Sequence, residues 1–230
     1  MSITETNTIS GWPDEDRPRE KLLEKGPEAL TTSELLAIFL RTGTRGKNAV
    51  ELSRDLIRHF NGIRGVFAAT EAELCDVPGI GQGKAATIKA VAELNRRFIR
   101  ENLEKKDAVH CPAEVYQLLM SELRDRDTEQ FKVLFLNSRN EILGDKVLFT
   151  GTIDSSPVYP REVIRQAISH GAVSIIIVHN HPSGSPEPSR HDREITEKIQ
   201  QAARVMDIKL ADHIIIGDNR FYSFAQTGSL

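Results

Sequence analysis

Ser174-Ile175-Ile176-Ile177-Val178-His179-Asn180-His181-Pro182-Ser183-Gly184-Ser185-Pro186-Glu187-Pro188-Ser189-Arg190-His191-Asp192 is the stretch that decides how this chain is read. After Ser174 come four apolar, β-branched residues, the composition of a buried strand. Residues two apart on a strand share a face, so His179 and His181 present both imidazoles to one cleft. Pro182, Gly184, Pro186 and Pro188 impose a loop, and the pattern predicts a helix from Ser189 with Asp192 in its first turn. Two imidazoles and a carboxylate make three ligands, and a catalytic zinc takes three protein ligands plus a water. The spacing points to a metal hydrolase site held by His179, His181 and Asp192.

Simpler readings compete. Ser189-x-x-Asp192 is also a helix cap, in which the Asp192 carboxylate satisfies free backbone donors. That explains Ser189 and Asp192 but leaves two same-face histidines at the end of an apolar strand. A His-x-His pair taken alone is more often two hydrogen-bonded surface residues. The contiguous string His-Asn-His carries no weight as an HNH nuclease signature, because those nucleases draw the three residues from distant positions.

With these residues in place, the stretch resembles the JAMM (MPN+) metalloprotease motif, H-x-H-P-x(6)-S-x-x-D. His179, His181, Pro182, Ser189 and Asp192 match it one for one. The fuller wording, HNHPSG followed by PS-x-x-D, is similar to the RadC-like family of bacterial proteins, and that likeness runs from about Gly11 to the C-terminus. Eukaryotic relatives usually carry Ser or Thr where this chain has Asn180, as the RadC-like branch does. The resemblance implies an α/β MPN (JAMM) metalloprotease-like domain, one Zn2+ per chain, and a peptidase or isopeptidase acting on a protein, peptide or small amide.

Such chemistry needs a general base, and Glu129, Glu141 and Glu162 are the upstream candidates. Glu162 opens a helix, where the dipole alone favours an acid. Glu141 follows Ser138-Arg139-Asn140, a turn signal placing it at a hairpin tip. Glu129 directly precedes the strand-like Phe131–Leu136. The resemblance puts the base after the first helix of the domain, at the entrance to the next strand. The choice is Glu129, with Glu162 as runner-up. Zinc would lower the pKa of its water from about 15.7 toward 7, and Glu129 would pass the proton to the leaving amine, a role worth roughly 10²–10⁴ in rate. Ser189 would hydrogen-bond the oxyanion as well as cap its helix. His213 is expected to support the site rather than bind the metal, and His191 to be solvated.

Composition bounds the alternatives. The chain has 230 residues, enough for one large or two small domains, with a net charge of −3 that rules out a globally nucleic-acid-like balance. Cys75 and Cys111 show no disulfide or zinc-finger spacing, which fits a reducing compartment. Residues 1–10 form a polar tail without an apolar leader, and no run reaches membrane-span length, so the expected location is cytoplasmic. A zinc deaminase would need H-x-E and a P-C-x-x-C pair that these cysteines cannot supply. The main rival is a non-enzymatic DNA-binding or interaction module with a structural or regulatory metal.

The patterns divide the chain into a helical domain at 11–101 and an α/β domain at 108–230, with charged 101–107 as a linker or helix end. Helices are predicted at Ser33–Leu40, Ala49–Phe60, Lys84–Phe98, Ala113–Leu123, Pro160–Ser169 and Arg190–Met206. Strands are predicted at Phe131–Leu136, Ile142–Thr150, Ser174–Val178 and His213–Ile216. Val77-Pro78-Gly79-Ile80-Gly81-Gln82-Gly83-Lys84 resembles the turn of a helix-hairpin-helix motif spanning about 71–97. Gly79, Gly81 and Lys84 would there meet DNA phosphates through backbone N–H groups and an ammonium. Residues 84–106 carry seven Lys or Arg against three Glu, which suits phosphates. The same hairpin could equally be a structural joint. Gly46-Lys47-Asn48-Ala49 echoes Gly83-Lys84-Ala85-Ala86 at an offset of 37, the mark of a duplicated hairpin or of an ordinary helix connection.

Overall fold

The computed structural model describes residues 8–103, 107–109, 112–151 and 158–230, and the chain divides into two compact units, residues 1–95 and 96–230. The break falls inside one long helix. Cys111 and residues 104–106 of the charged stretch lie outside the described residues.

The first unit is helical: α1 (Pro18–Lys25), α2 (Thr32–Leu40), α3 (Ala49–His59), α4 (Ile63–Ala68), α5 (Glu71–Asp76) and the start of α6 (Gln82–Leu103), with short 3-10 turns at Ile9–Gly11, Asp14–Asp16 and Pro27–Ala29. Its helix starts are written locally. Thr31 with Glu34, Asn48 with Glu51 and Thr70 with Glu73 each form a reciprocal capping box, worth about 1 kcal/mol apiece. Apolar residues at helical spacing then close one core, with Leu36 and Leu40 of α2, Leu52 and Leu56 of α3, Leu74 of α5 and Ile88 of α6.

The second unit is an α/β sandwich around a five-stranded sheet. The strands are β1 (Gln130–Leu136), β2 (Ile142–Thr150), β3 (Ser174–Asn180), β4 (Lys209–Ile216) and β5 (Phe221–Ser223), in the order β2-β1-β3-β4-β5. Only β3 and β4 run parallel; the other neighbours are antiparallel. Period-two alternation divides the strand residues between two cores. Leu134, Leu136, Ile176, Val178, Ile214 and Ile216 pack with α7 (Pro112–Leu123). Phe131, Val133, Phe135, Ile175 and Ile177 pack with α8 (Pro160–Ser169) and α9 (Arg190–Val205). All seven residues of β3 are buried, as expected of a strand covered on both faces.

The site-bearing elements match their sequence expectation closely, and the differences lie at edges. β4 begins at Lys209 rather than His213, because its first half carries Lys209 and Asp212. β5, only three residues long, and the short α1, α4 and α5 offered too little periodicity to detect. At the offset of 37 both segments join two helices, but the glycines are not equivalent: Gly46 sits in a turn with φ +81°, whereas Gly83 lies within α6. Among the described residues no helix is long and apolar enough to cross a membrane.

Candidate functional site

The parallel pairing of β3 with β4 requires a crossover, and α9 supplies it. The end of β3, the proline-rich loop and the first turn of α9 therefore converge, the usual place for a site in such a unit. The first half of the loop is anchored to the end of β4 and the residues after it. His181 N–H donates to Ile216 O at 2.8 Å, and Asp218 N–H donates to Gly184 O at 2.8 Å. Gly217 makes this docking possible, since a Cβ there would stand 2.5 Å from Gly184 O.

His179, His181 and Asp192 meet as the spacing required. The Nε2 atoms of His179 and His181 are 3.0 Å apart. Asp192 Oδ1 is 3.1 Å from His179 Nε2, and Oδ2 is 3.6 Å from His181 Nε2. Glu129 joins them: a carboxylate oxygen and both imidazole nitrogens lie within 4.8 Å of one another. His179 is fully buried, whereas His181 keeps 18% of its side-chain surface exposed, so the site opens on its side.

Hydrogen-bond direction decides where the lone pairs point. Thr196 Oγ1 is 2.5 Å from Asp192 O, which can only accept, so the hydroxyl proton goes there. Thr196 must then accept at its 2.6 Å contact with His213, which places a proton on His213 Nδ1. Burial pushes the His213 pKa well down and keeps this ring neutral. Its Nε2 is consequently bare and receives the Nδ1 proton of His179 at 2.9 Å. His181 likewise donates Nδ1–H to Ser185 O at 2.7 Å. Both Nε2 atoms are left facing each other and the Asp192 carboxylate. Three electron-rich groups this close repel unless a cation lies among them, so the donor set fits a metal such as zinc.

With a proton rather than a cation among these groups, burial raises the Asp192 pKa but hydrogen bonds from His179 and His181 outweigh it and hold the carboxyl well below the usual range. The Asp192 contact raises the His181 pKa, while burial lowers that of His179. Ser189 is the N-cap of α9: its Oγ accepts from Asp192 N–H at 3.1 Å and donates to Asp192 Oδ2 at 2.6 Å. The cap and the carboxylate are one arrangement, and the Ser189 hydroxyl proton is committed to Asp192.

Glu129 stands immediately before β1, and Asn180 holds it there. Asn180, fully buried, accepts from Gln130 N–H at 2.8 Å and donates to Thr128 O at 3.2 Å. Glu162 is elsewhere, ion-paired with Arg165 on α8, which keeps its carboxyl low. Glu141 closes the β1–β2 hairpin against Asn137. His191 is half-buried on the first turn of α9 rather than solvated, and is not among the clustered groups. Sequence reasoning gave Asn180 no role and passed over Thr196. Thr196 had a signal, one helical turn after Asp192; Asn180 had only its place between the histidines.

In the helical unit, Gly79 has φ +95° and lies so close to the neighbouring turn that a Cβ would meet the Thr44 side chain at 2.7 Å. Lys84 is turned inward, its Nζ donating to Gly43 O and Gly79 O at 2.9 Å each. Gly81 remains exposed at the start of α6.

A family described as RadC-like JAB domain matches residues 109–229, and one described as UPF0758 N-terminal matches residues 9–86. The chain is 48% identical over 220 residues to a UPF0758 protein of Vibrio atlanticus, covering 96% of this chain and 98% of that protein. It is 46% identical over 220 residues to a UPF0758 protein of Saccharophagus degradans, with the same coverage. Over 221 residues it is 48% identical to one from Aliivibrio fischeri, covering 96% and 99%.

Proposed function

Because the chain belongs to the RadC-like JAB domain family, we propose that it is a zinc-dependent metallohydrolase that cleaves amide bonds, as a peptidase or isopeptidase. The observation that carries this reading is the convergence of the two bare Nε2 atoms on the Asp192 carboxylate. His179, His181 and Asp192 would hold the ion, which when bound supplies a Lewis acid for water and for the scissile carbonyl.

The chain's own residues do the rest. Glu129, at the rim of the donor cluster, takes a proton from the attacking water and delivers it to the departing amine. Asn180 keeps the segment bearing that carboxylate in place. Ser189 can turn its hydroxyl from Asp192 to a developing oxyanion once a metal shares the carboxylate's charge. The α5–α6 region supports a helix-hairpin-helix reading through the tight turn at Gly79 and the exposed Gly81.

Metal analysis of the purified protein tests the reading. It expects about one zinc per chain, lost in the His179→Ala/His181→Ala variant, and metal-dependent cleavage of members of a peptide and isopeptide library. Stoichiometric zinc in the double variant would refute the site. Zinc without any cleavage would leave a metal-binding module and refute the enzyme.

A further inference from the structure

A cleft in the helical unit, of about 920 Å3, is lined by residues 8–10, α1, α2 and the turn between α2 and α3. Five cations and one carboxylate, Glu20, border it. Two of the cations are engaged: Arg17 with Asp14, and Lys47 with Asp55. Arg19, Arg41 and Arg45 are exposed and make no ion pair or hydrogen bond among the described residues.

The backbone at this cleft is arranged unusually. Arg41 has φ +64° and ψ −44°, and Thr42 N–H donates across it to Leu40 O at 2.7 Å. That is a γ-turn of the rare positive-φ kind, strained for a residue with a Cβ. The Thr44–Lys47 turn is closed by paired backbone bonds of 2.9 and 3.0 Å, while the N–H groups of Arg45 and Gly46 between them have no acceptor among the described residues. Open peptide donors flanked by guanidiniums suit a tetrahedral anion. The floor is apolar, with Ile9, Pro18 and Ile38, and the volume matches a ligand of one or two nucleotides.

We propose that this cleft binds nucleotide phosphates, through Arg19, Arg41, Arg45 and the Arg45–Gly46 peptide N–H groups, with a base lying on the apolar floor. The site is distinct from the hairpin at Gly79, whose nearby ammonium, Lys84, is engaged by two carbonyls. It is independent of the hydrolase reading. The phosphates could belong to a single strand or to a free nucleotide, and the chemistry at the turn is the same.

Fluorescence anisotropy of the full-length protein with labelled oligo(dT) and with a fluorescent ATP analogue tests this. At low salt at least one probe should bind, the oligonucleotide alone indicating a strand and the analogue a free nucleotide. Arg41→Glu/Arg45→Glu should weaken that probe at least tenfold, and Arg19→Glu less. Losing two phosphate contacts should flatten the salt dependence of oligonucleotide binding by about 1.4 in log–log slope. Unfolding midpoints of the variants show whether folding is intact; if the double variant is unfolded, the single Arg19→Glu and Arg45→Glu variants decide. The proposal is overturned if neither probe binds the parent. It also fails if binding survives the arginine replacements but not Gly81→Glu, or if polyglutamate competes as well as the oligonucleotide.

Discussion

Asn180, the residue between the two histidines, accepts the backbone N–H of Gln130 at 2.8 Å across 50 positions of sequence. Its side chain lies on the α7-facing side of β3 while His179 faces α8 and α9, so one strand end both presents a ligand and fixes the neighbouring strand's entrance. Since Glu129 precedes Gln130, this amide ties the base candidate to the histidines beyond the Phe131–His179 pairing of β1 with β3.

Asn180→Ala should therefore cost stability without disturbing the metal ligands. Leaving the Gln130 N–H and the Thr128 carbonyl unmatched should cost about 1–3 kcal/mol in urea unfolding. Zinc content should stay near that of the parent, while hydrolysis falls by about 10²-fold, the effect of a carboxylate displaced by about 1 Å. Full activity in a destabilised variant would show that Glu129 is held by other means.

Glu129→Gln should retain the fold and zinc yet abolish hydrolysis, because the amide lacks a basic oxygen. Glu162→Gln should turn over like the parent, its carboxylate being occupied by Arg165. The reverse pair of results, read in the same library assay, would reassign the base.

His213→Phe should lower zinc affinity by about 10–100-fold, since the proton that His179 places on Nδ1 loses its acceptor. Thr196→Val should act in the same direction by freeing the His213 ring to change tautomer. Competition against a chromophoric chelator measures both. Parent-like affinity in each variant would remove the directional chain from the account of the site.

Lys132, Glu122 and Asp145 form a buried ionic group with Arg100 on the opposite side of the sheet. Burial raises both carboxyl pKa values, but Lys132 and Arg100 overcome it and hold them below their ordinary range. The resulting stability is present above the unfolded-state values and is lost as pH falls through the depressed folded values. Lys132→Met should destabilise by about 3–5 kcal/mol at neutral pH and flatten the acid limb of stability against pH. An unchanged acid limb in urea titrations would show that the group contributes nothing to it.

Several features were decided locally and could be read from the sequence. Ile175, Ile177 and His179 follow the period of a strand, the prolines after His181 forbid its continuation, and Ser189-x-x-Asp192 starts a helix through its own capping bonds. Those rules act over a few residues, so they bring His179, His181 and Asp192 together without knowledge of the sheet. Register and packing decided the rest. His213 reaches His179 only because β4 pairs parallel to β3 with Ile177 opposite His213. Asn180 finds Gln130 only because β1 lies antiparallel beside it. Lys84, which the hairpin pattern aims at a phosphate, instead finds Gly43 O across 41 positions. Nothing within a few residues distinguishes these polar side chains from solvated ones, because their partners are set by which strands and turns become neighbours. A buried donor or acceptor must be matched, and only the folded chain determines by what.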